Sequence, residues 1–335
     1  MRVVHTRHAG FAFERGRARA LNVPPTNGKT ADMSDVHHHS VRFLGTDTTL
    51  RPVYARSIPT KAFVSARLSY LLSSEEKPYQ YAFPPPNGMP WENSHYEWRD
   101  VHVADARYHA DGISVDREGF ELWDAPSALR DFADPDVVTR SYYPELAELA
   151  CQVTGARHAY VFDHLVRKRE AGRGTLDFGR SVKGGSATAN GRIHNDYTEQ
   201  SGMQRLQRVL GEHAAPARHG RYSIVNVWRS ISGPVLDTPL AVCDARSIAA
   251  SDLVPADVHY PRRTGEIYLL RYAPRHGWSY FSRMDRHEAL VFKQYDSQAS
   301  GVARYTPHTA FDLPEVPADA PLRESIEARC LVIYD

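Results

Sequence analysis

The sequence predicts a mainly β fold with flanking helices, built around a double-stranded β-helix of the jelly-roll kind. From Ala159 onward, strand-length apolar runs recur with turn residues between them: AYVFDHLV, RIHNDYT, YSIVNVWRSI, PLAVCDA, EIYLLRYA, WSYFS, ALVFKQY and IEARCLVIY. Eight such runs in about 175 residues suit two packed sheets rather than a helical core. Helix start and stop signals appear at only two places beside them. A chain of 335 residues fits one enlarged domain with an N-terminal elaboration.

In chain order, residues 1–60 are poor in apolar periodicity and rich in Arg, His and Thr, and are expected to form an irregular or partly disordered arm. Met33 is a second candidate start. The tract His37-His38-His39 is read as solvated, with metal binding the lesser alternative. The remainder, 61–335, is read as one domain with an α/β elaboration over about 61–158 and a core over about 159–335. Phe83-Pro84-Pro85-Pro86-Asn87-Gly88 is a turn-rich connection that cannot be helix. Short strands are expected at 101–104 and 119–122. Residues 141–154 carry Pro144 early and Gly155 just after, the signals of an amphipathic helix packed on the sheet. A second helix is expected over 199–212. Between the first two core runs, the segment 172–191 holds six glycines and is read as a candidate lid.

Charge and cysteine usage exclude several classes. With 41 basic against 40 acidic residues there is no electrostatic case for nucleic acid or a membrane surface. No apolar run reaches 18 residues, and Arg2, His5, Arg7 and His8 stand where a signal peptide would be apolar. A cytoplasmic protein acting on a small molecule is expected, with the oligomeric state open. Cys151, Cys243 and Cys330 are too far apart and too few for a disulfide framework or a zinc site.

The chemistry-bearing motif is His194-Asn195-Asp196, followed by His308 and then Arg323-Glu324-Ser325. Two residues apart on an extended segment, His194 and Asp196 point to one face. A distal imidazole completes a 2-His-1-carboxylate facial triad, which binds Fe(II) and leaves positions open for co-substrate and oxygen. An HxD tripeptide alone is weak among 17 His and 40 acidic residues; the order of HxD, distal His and Arg-x-Ser carries the weight.

The strings HNDYT (194–198), NVWRSISGPVLDTPLAVCDARS (226–247), HGWSYF (276–281), EALVFKQYDS (288–297), PHTAF (307–311) and RESIEARCLVIY (323–334) resemble the CmcJ/AsaB-type hydroxylase/desaturase family, a branch of the non-heme Fe(II), 2-oxoglutarate-dependent oxygenases. YYPEL (142–146) and TGARHAYVFDHLVR (154–167) are similar to it too, so the resemblance spans roughly 95–334. It implies a jelly-roll oxygenase using Fe(II), 2-oxoglutarate and dioxygen for C–H hydroxylation, desaturation or oxidative cyclisation in secondary metabolism. An iron oxygenase without 2-oxoglutarate and a catalytically silent jelly-roll binding protein are the alternatives.

Carried over by position, the resemblance puts the metal on His194, Asp196 and His308. His308 precedes Arg323 by 15 residues, the arrangement of such oxygenases; His276, the competing ligand, is read instead as a residue packed on aromatic rings beside the site or in the substrate pocket. A carboxylate anchor favours Arg, whose planar fork meets two oxygens. Arg323 with Ser325 is the first choice, and Arg329, about 20 Å further along the same strand face, the runner-up. Tyr197 and Asn226 are candidate donors to the co-substrate. Trp228 and Arg229 are read as holding an anionic substrate or co-substrate group, or equally as a core Trp and an Arg paired with an acid such as Asp237 or Asp244. Tyr280 is a weaker substrate-binding candidate and Tyr268 weaker still, because strand tyrosines usually only pack. Asp196 argues against halogenation, since chloride needs the position a carboxylate occupies.

Overall fold

Two β-sheets face each other with much of the apolar core between them. The computed structural model describes residues 39–42, 50–53, 62–108, 112–169 and 187–334. One sheet is antiparallel throughout, in the order His39–Arg42, His158–Lys168, Glu324–Ile333, Tyr222–Ser230, Glu288–Asp296, Phe120–Asp124, Arg51–Pro52. The other runs Phe63–Leu71, Tyr96–Asp105, Trp278–Tyr280, Leu240–Cys243, His308–Ala310, His194–Asn195, Arg263–Leu270, Leu253–Tyr260, Tyr79–Tyr81. Phe120, Leu122, Trp228, Leu290 and Phe292 of the first sheet meet Leu240 and Val242 of the second in one cluster. This is the double-stranded β-helix expected from the spacing of the runs.

The continuous apolar runs are strands buried on both faces. Tyr222–Ser230 is buried at every position. Because side chains alternate, Ile224, Asn226 and Trp228 point between the sheets while Val225 and Val227 point outward. The outward face is covered by the helix Tyr143–Thr154 through Leu146, Ala147, Leu149, Ala150 and Cys151. Pro144 lies in its first turn, and Gly155 closes it at φ 71°, a left-handed conformation that costs glycine little. One π-type turn, Val138–Tyr142, precedes it. The helix Glu199–Leu210 starts on a reciprocal cap between Thr198 and Ser201 and sets Leu206 and Val209 against Ile224, Tyr295 and Leu331.

Part of the stretch expected to be irregular is strand. His39–Arg42 pairs with His158–Val161, and Arg51–Pro52 with Trp123–Asp124. Edge strands of four and two residues are too short to show a period of two. Phe63–Leu71 and Leu253–Tyr260 were also not expected: they are not continuous apolar runs but alternate, Val64, Ala66, Leu68 and Tyr70 with Ser65, Arg67 and Ser69 in one, and Val254, Ala256 and Val258 with Pro255, Asp257 and His259 in the other. Strands of the N-terminal elaboration are bonded into both sheets, Phe120–Asp124 to Glu288–Phe292 and Val103–Asp105 to Trp278–Tyr280. Met33, His37, His38 and all of the candidate lid except 187–191 lie outside the described residues.

Candidate active site

The metal motif sits where three short strands meet. His194–Asn195 lies between Arg263–Leu270 and His308–Ala310, and His308 stands directly opposite His194 in the ladder. Their ring centroids are 4.3 Å apart. Asp196 follows as the chain leaves the strand, with its Oδ1 3.4 Å from His194 Nε2. The three residues offer ligand atoms that all lie within 4.8 Å of one another. Asn195, between the two ligands, turns the other way and fixes the turn: its Nδ2 donates to the carbonyls of Tyr197 (2.7 Å) and Gln294 (2.9 Å), and its Oδ1 accepts from Thr306 N–H (3.0 Å). Gln294 lies at a register shift in its strand, and its Oε1 accepts from Asp196 N–H at 2.7 Å.

The protonation states suit a divalent cation. Burial pushes the His308 imidazolium well below the ordinary histidine range, and the neighbouring His194 adds to that, so the ring is neutral and has a lone pair to give. His194 Nδ1 lies 2.9 Å from the Arg192 carbonyl, a contact that requires Nδ1–H and leaves Nε2 free to ligate. Burial opposes ionisation of Asp196, but the Arg329 guanidinium and His194 hold its carboxyl well below the usual range. Its Oδ2 accepts from Arg329 Nε and Asn226 Nδ2, each at 2.8 Å, leaving Oδ1 toward the histidines. Two imidazoles and one ionised carboxylate on one side of a point fit Fe(II) with open positions opposite.

The other sequence-predicted residues divide. Arg323 is buried beside Ser325, donating from Nε to the serine Oγ (3.1 Å) and from Nη1 to the Thr238 carbonyl (3.0 Å). Burial, with Arg167 nearby, pulls its pKa down to about 10. Its guanidinium carbon stands 5.1 Å from the centre of the Trp228 ring, whose buried Nε1 has no partner among the described residues. Arg329 is committed to Asp196, Asp163 (3.0 Å) and Glu327 (3.2 Å), so its guanidinium is engaged by carboxylates of the chain. Asn226 likewise gives its amide to Asp196 and to Glu327 (3.2 Å). Tyr197 lines the cavity beside Asp196, whereas Tyr268 packs edge-on against Tyr305.

Three residues expected at the substrate are elsewhere. Arg229 points out of the opposite face of its strand to Tyr142 Oη (2.9 Å) and the Arg286 carbonyl (2.8 Å); neither Asp237 nor Asp244 is its partner. Tyr280 packs with Ala241 and Cys243 on the outer face of the second sheet, where one step of strand parity separates them from inward-facing Val242 and His308. His276 bonds Asp252 (3.1 Å) and stacks on Tyr70 in that same outer layer.

Sequence reasoning missed Asn195, Gln294 and Glu327. Glu327 is buried on the strand face between Arg323 and Arg329, and burial raises its pKa even though Arg329 opposes this. Its only sequence signal was a carboxylate alternating with Arg on an otherwise apolar strand. A cavity of about 400 Å³ opens over His194 and Asp196, lined also by Asn190, Tyr197, Arg205 and Ile267.

Fold and centre together define a class, the mononuclear non-heme iron oxygenases that use 2-oxoglutarate. Residues 68–333 match the family model described as "Oxidoreductase/YMDC permease-like domain", and the chain belongs to that family. It is 32% identical over 259 residues to the Fe(II)/2-oxoglutarate-dependent dioxygenase nvfI of Aspergillus novofumigatus, covering 75% of this chain and 89% of the relative. It is 33% identical over 257 residues to the hydroxylase/desaturase efuI of Hormonema carpetanum, covering 72% and 85%. A solved structure, titled iron and alpha-ketoglutarate-dependent endoperoxidase NvfI, superposes with a TM-score of 0.71 at 29% identity, covering 82% of this chain and 99% of that one. The protein is an Fe(II)/2-oxoglutarate-dependent dioxygenase, with Fe(II), 2-oxoglutarate and dioxygen as its cofactor and co-substrates.

Among the described residues no helix is long and apolar enough to cross a membrane.

Proposed function

We propose that this dioxygenase hydroxylates, desaturates or oxidatively cyclises a small natural-product intermediate in the cytoplasm, with His194, Asp196 and His308 as the iron ligands and Arg323 with Ser325 as the anchor of 2-oxoglutarate. The observation that carries the reading is the group of three ligand atoms within 4.8 Å of one another, two of them, on His194 and Asp196, in the lining of a cavity. Relatives described as hydroxylase/desaturase and endoperoxidase support the range of outcomes.

The bound iron supplies the oxidising power by coupling dioxygen reduction to loss of CO2 from 2-oxoglutarate. The chain supplies position. Arg323 is held flat by Ser325 and Thr238 and keeps further N–H donors for a carboxylate, in a site dry enough to make that charge-assisted contact strong. Arg329 and Asn226 hold the outer oxygen of Asp196, fixing which oxygen faces the metal. Phe292 packs edge-on against His308 at 4.8 Å and keeps water from that side of the centre.

Anaerobic addition of Fe(II) and 2-oxoglutarate should give the visible charge-transfer band of an iron-bound 2-oxo acid, and air should then release succinate. His194→Ala, Asp196→Ala and His308→Ala should each lose iron and band, while His276→Ala keeps both. A wild-type protein that retains iron but shows neither band nor succinate overturns the 2-oxoglutarate reading; loss of iron in His276→Ala with retention in His308→Ala overturns the ligand assignment.

A further inference from the structure

The cavity over the iron is cationic at its walls. Five arginines and three carboxylates line it. The carboxylates are taken: Asp196 and Asp163 by Arg329, and Glu266 by Lys77 at 2.8 Å and the Thr198 hydroxyl at 2.5 Å. Arg205, Arg208 and Arg263 have no carboxylate partner among the described residues. Arg205 and Arg208 stand three apart on the helix Glu199–Leu210, whose Ser201 and Gln204 face the same cavity, while Arg263 comes from the hairpin end opposite. Aromatic faces hold two of the three guanidinium groups in place: Arg205 over Phe162 at 4.5 Å, and Arg263 over Tyr260 at 3.8 Å. Stacking uses the flat face of a guanidinium and leaves its N–H edges for an acceptor. Arg205 Nε is buried with no acceptor among the described residues. Burial lowers the Arg208 pKa, and the charges of Arg205 and Arg263 lower it further, so the cluster repels itself.

A second, independent feature lies in the same cavity. Gln80 is only 2% exposed, and among the described residues neither its Oε1 nor its Nε2 has a partner. A buried primary amide with both ends unmet costs stability, and such groups in a cavity mark a ligand that completes them.

We propose that the substrate carries an anionic group, a carboxylate or a phosphate ester, held by Arg205, Arg208 and Arg263, with a neutral hydrogen-bonding group placed against Gln80. This rests on the oxygenase reading, since it names the substrate class of the same cavity. The arginines fix the charged end at the cavity wall, and the rest of the molecule extends toward His194 and Asp196, where a C–H bond is presented.

The test uses protein loaded anaerobically with Fe(II) and saturated with 2-oxoglutarate, so that added anions compete only for the cavity. The probes are 4-phenylbutanoate, its methyl ester, 4-phenylbutyl phosphate and inorganic phosphate, read by calorimetry and by perturbation of the charge-transfer band. The carboxylate or the phosphate ester should bind about tenfold or more tightly than the methyl ester, and the tighter of the two names the head group. Arg205→Gln/Arg208→Gln/Arg263→Gln should abolish that preference without changing the apparent affinity for 2-oxoglutarate. Gln80→Met should keep or raise Tm while weakening 4-(4-carbamoylphenyl)butanoate, an acid probe that adds a neutral amide, and should leave 4-phenylbutanoate unchanged. Equal binding of acid and ester, weak or strong, overturns the proposal. So does inorganic phosphate binding as tightly as the organic anions, which would mark a simple anion site, or a triple variant that keeps the preference. A drop in Tm for Gln80→Met with unchanged affinity for the amide-bearing acid overturns the role of Gln80. Absence of the charge-transfer band before any probe is added strikes the oxygenase reading instead.

Discussion

Arg323 and Arg329 share one face of one strand, and their neighbours give them different work. Arg323 makes two bonds to neutral oxygens and keeps donors free; Arg329 is enclosed by three carboxylates. Arg323→Ala should therefore raise the apparent KM for 2-oxoglutarate at least about tenfold, since a charge-assisted contact to a desolvated carboxylate contributes roughly 1.5–3 kcal/mol, and should leave iron content unchanged. Arg329→Ala should do the reverse, weakening iron binding by about 10–100-fold as the ligand loses its outer support. Steady-state kinetics with metal analysis separates the two, and exchanged phenotypes would move the anchor to Arg329. Both arginines were legible as candidates from alternation along the strand. Their difference was not, because Asp163 and Asp196 approach Arg329 from elements 166 and 133 residues away.

At the scale of elements, the helix Glu199–Leu210 seals the cavity with one face and packs on the sheet with the other. Gly202 permits the close approach: a Cβ there would stand 2.7 Å from Cγ of Tyr295, a buried ring tied to Glu199 through its hydroxyl at 3.0 Å. Gly202→Ala cannot be absorbed by a flexible chain end, so it should destabilise the protein by about 1–3 kcal/mol despite alanine's better helix propensity, measured as a fall in Tm. A rise in Tm would show that the helix can shift outward. The helix itself was legible from its position after the HxD and its periodicity; the close contact was not, because nothing local to Gly202 specifies Tyr295. The strand tyrosine and histidine read as pocket residues illustrate the same limit. Tyr280 is one residue of parity away from facing inward, and a register cannot be fixed from a three-residue strand.

For the whole molecule, the ligand-binding centre joins strands from distant parts of the chain, so filling it should stabilise the fold. Mn(II) with 2-oxoglutarate, each at about 100 times its dissociation constant, should add roughly 2.7 kcal/mol per site and raise Tm, and Asp196→Ala should abolish the metal-dependent part. Acid should act oppositely on the metal-free protein. Burial depresses His308 well below its ordinary range, and depresses His164 and His276 in the same direction. Below about pH 6.5 the unfolded chain binds protons that the folded chain resists, so stability falls on acidification and is level above that range. Tm measured from pH 8 to pH 5 checks the sign, and His308→Gln should flatten part of the slope.

The sequence alone determined the two-sheet architecture, both principal helices and the placing of His194 and Asp196 on one face, because each rests on local signals: the period of a strand, a helix cap, two side chains separated by one residue; His308 was reached only through the resemblance to a family. Only the tertiary structure decided that Asn195 and Gln294 hold the turn at Asp196, that Asn226 and Arg329 serve Asp196, that Arg229, His276 and Tyr280 face away, and that three arginines without a carboxylate partner among the described residues line one cavity with His194 and Asp196. Those facts depend on strand register, a bulge and the approach of elements more than a hundred residues apart, which no local pattern encodes.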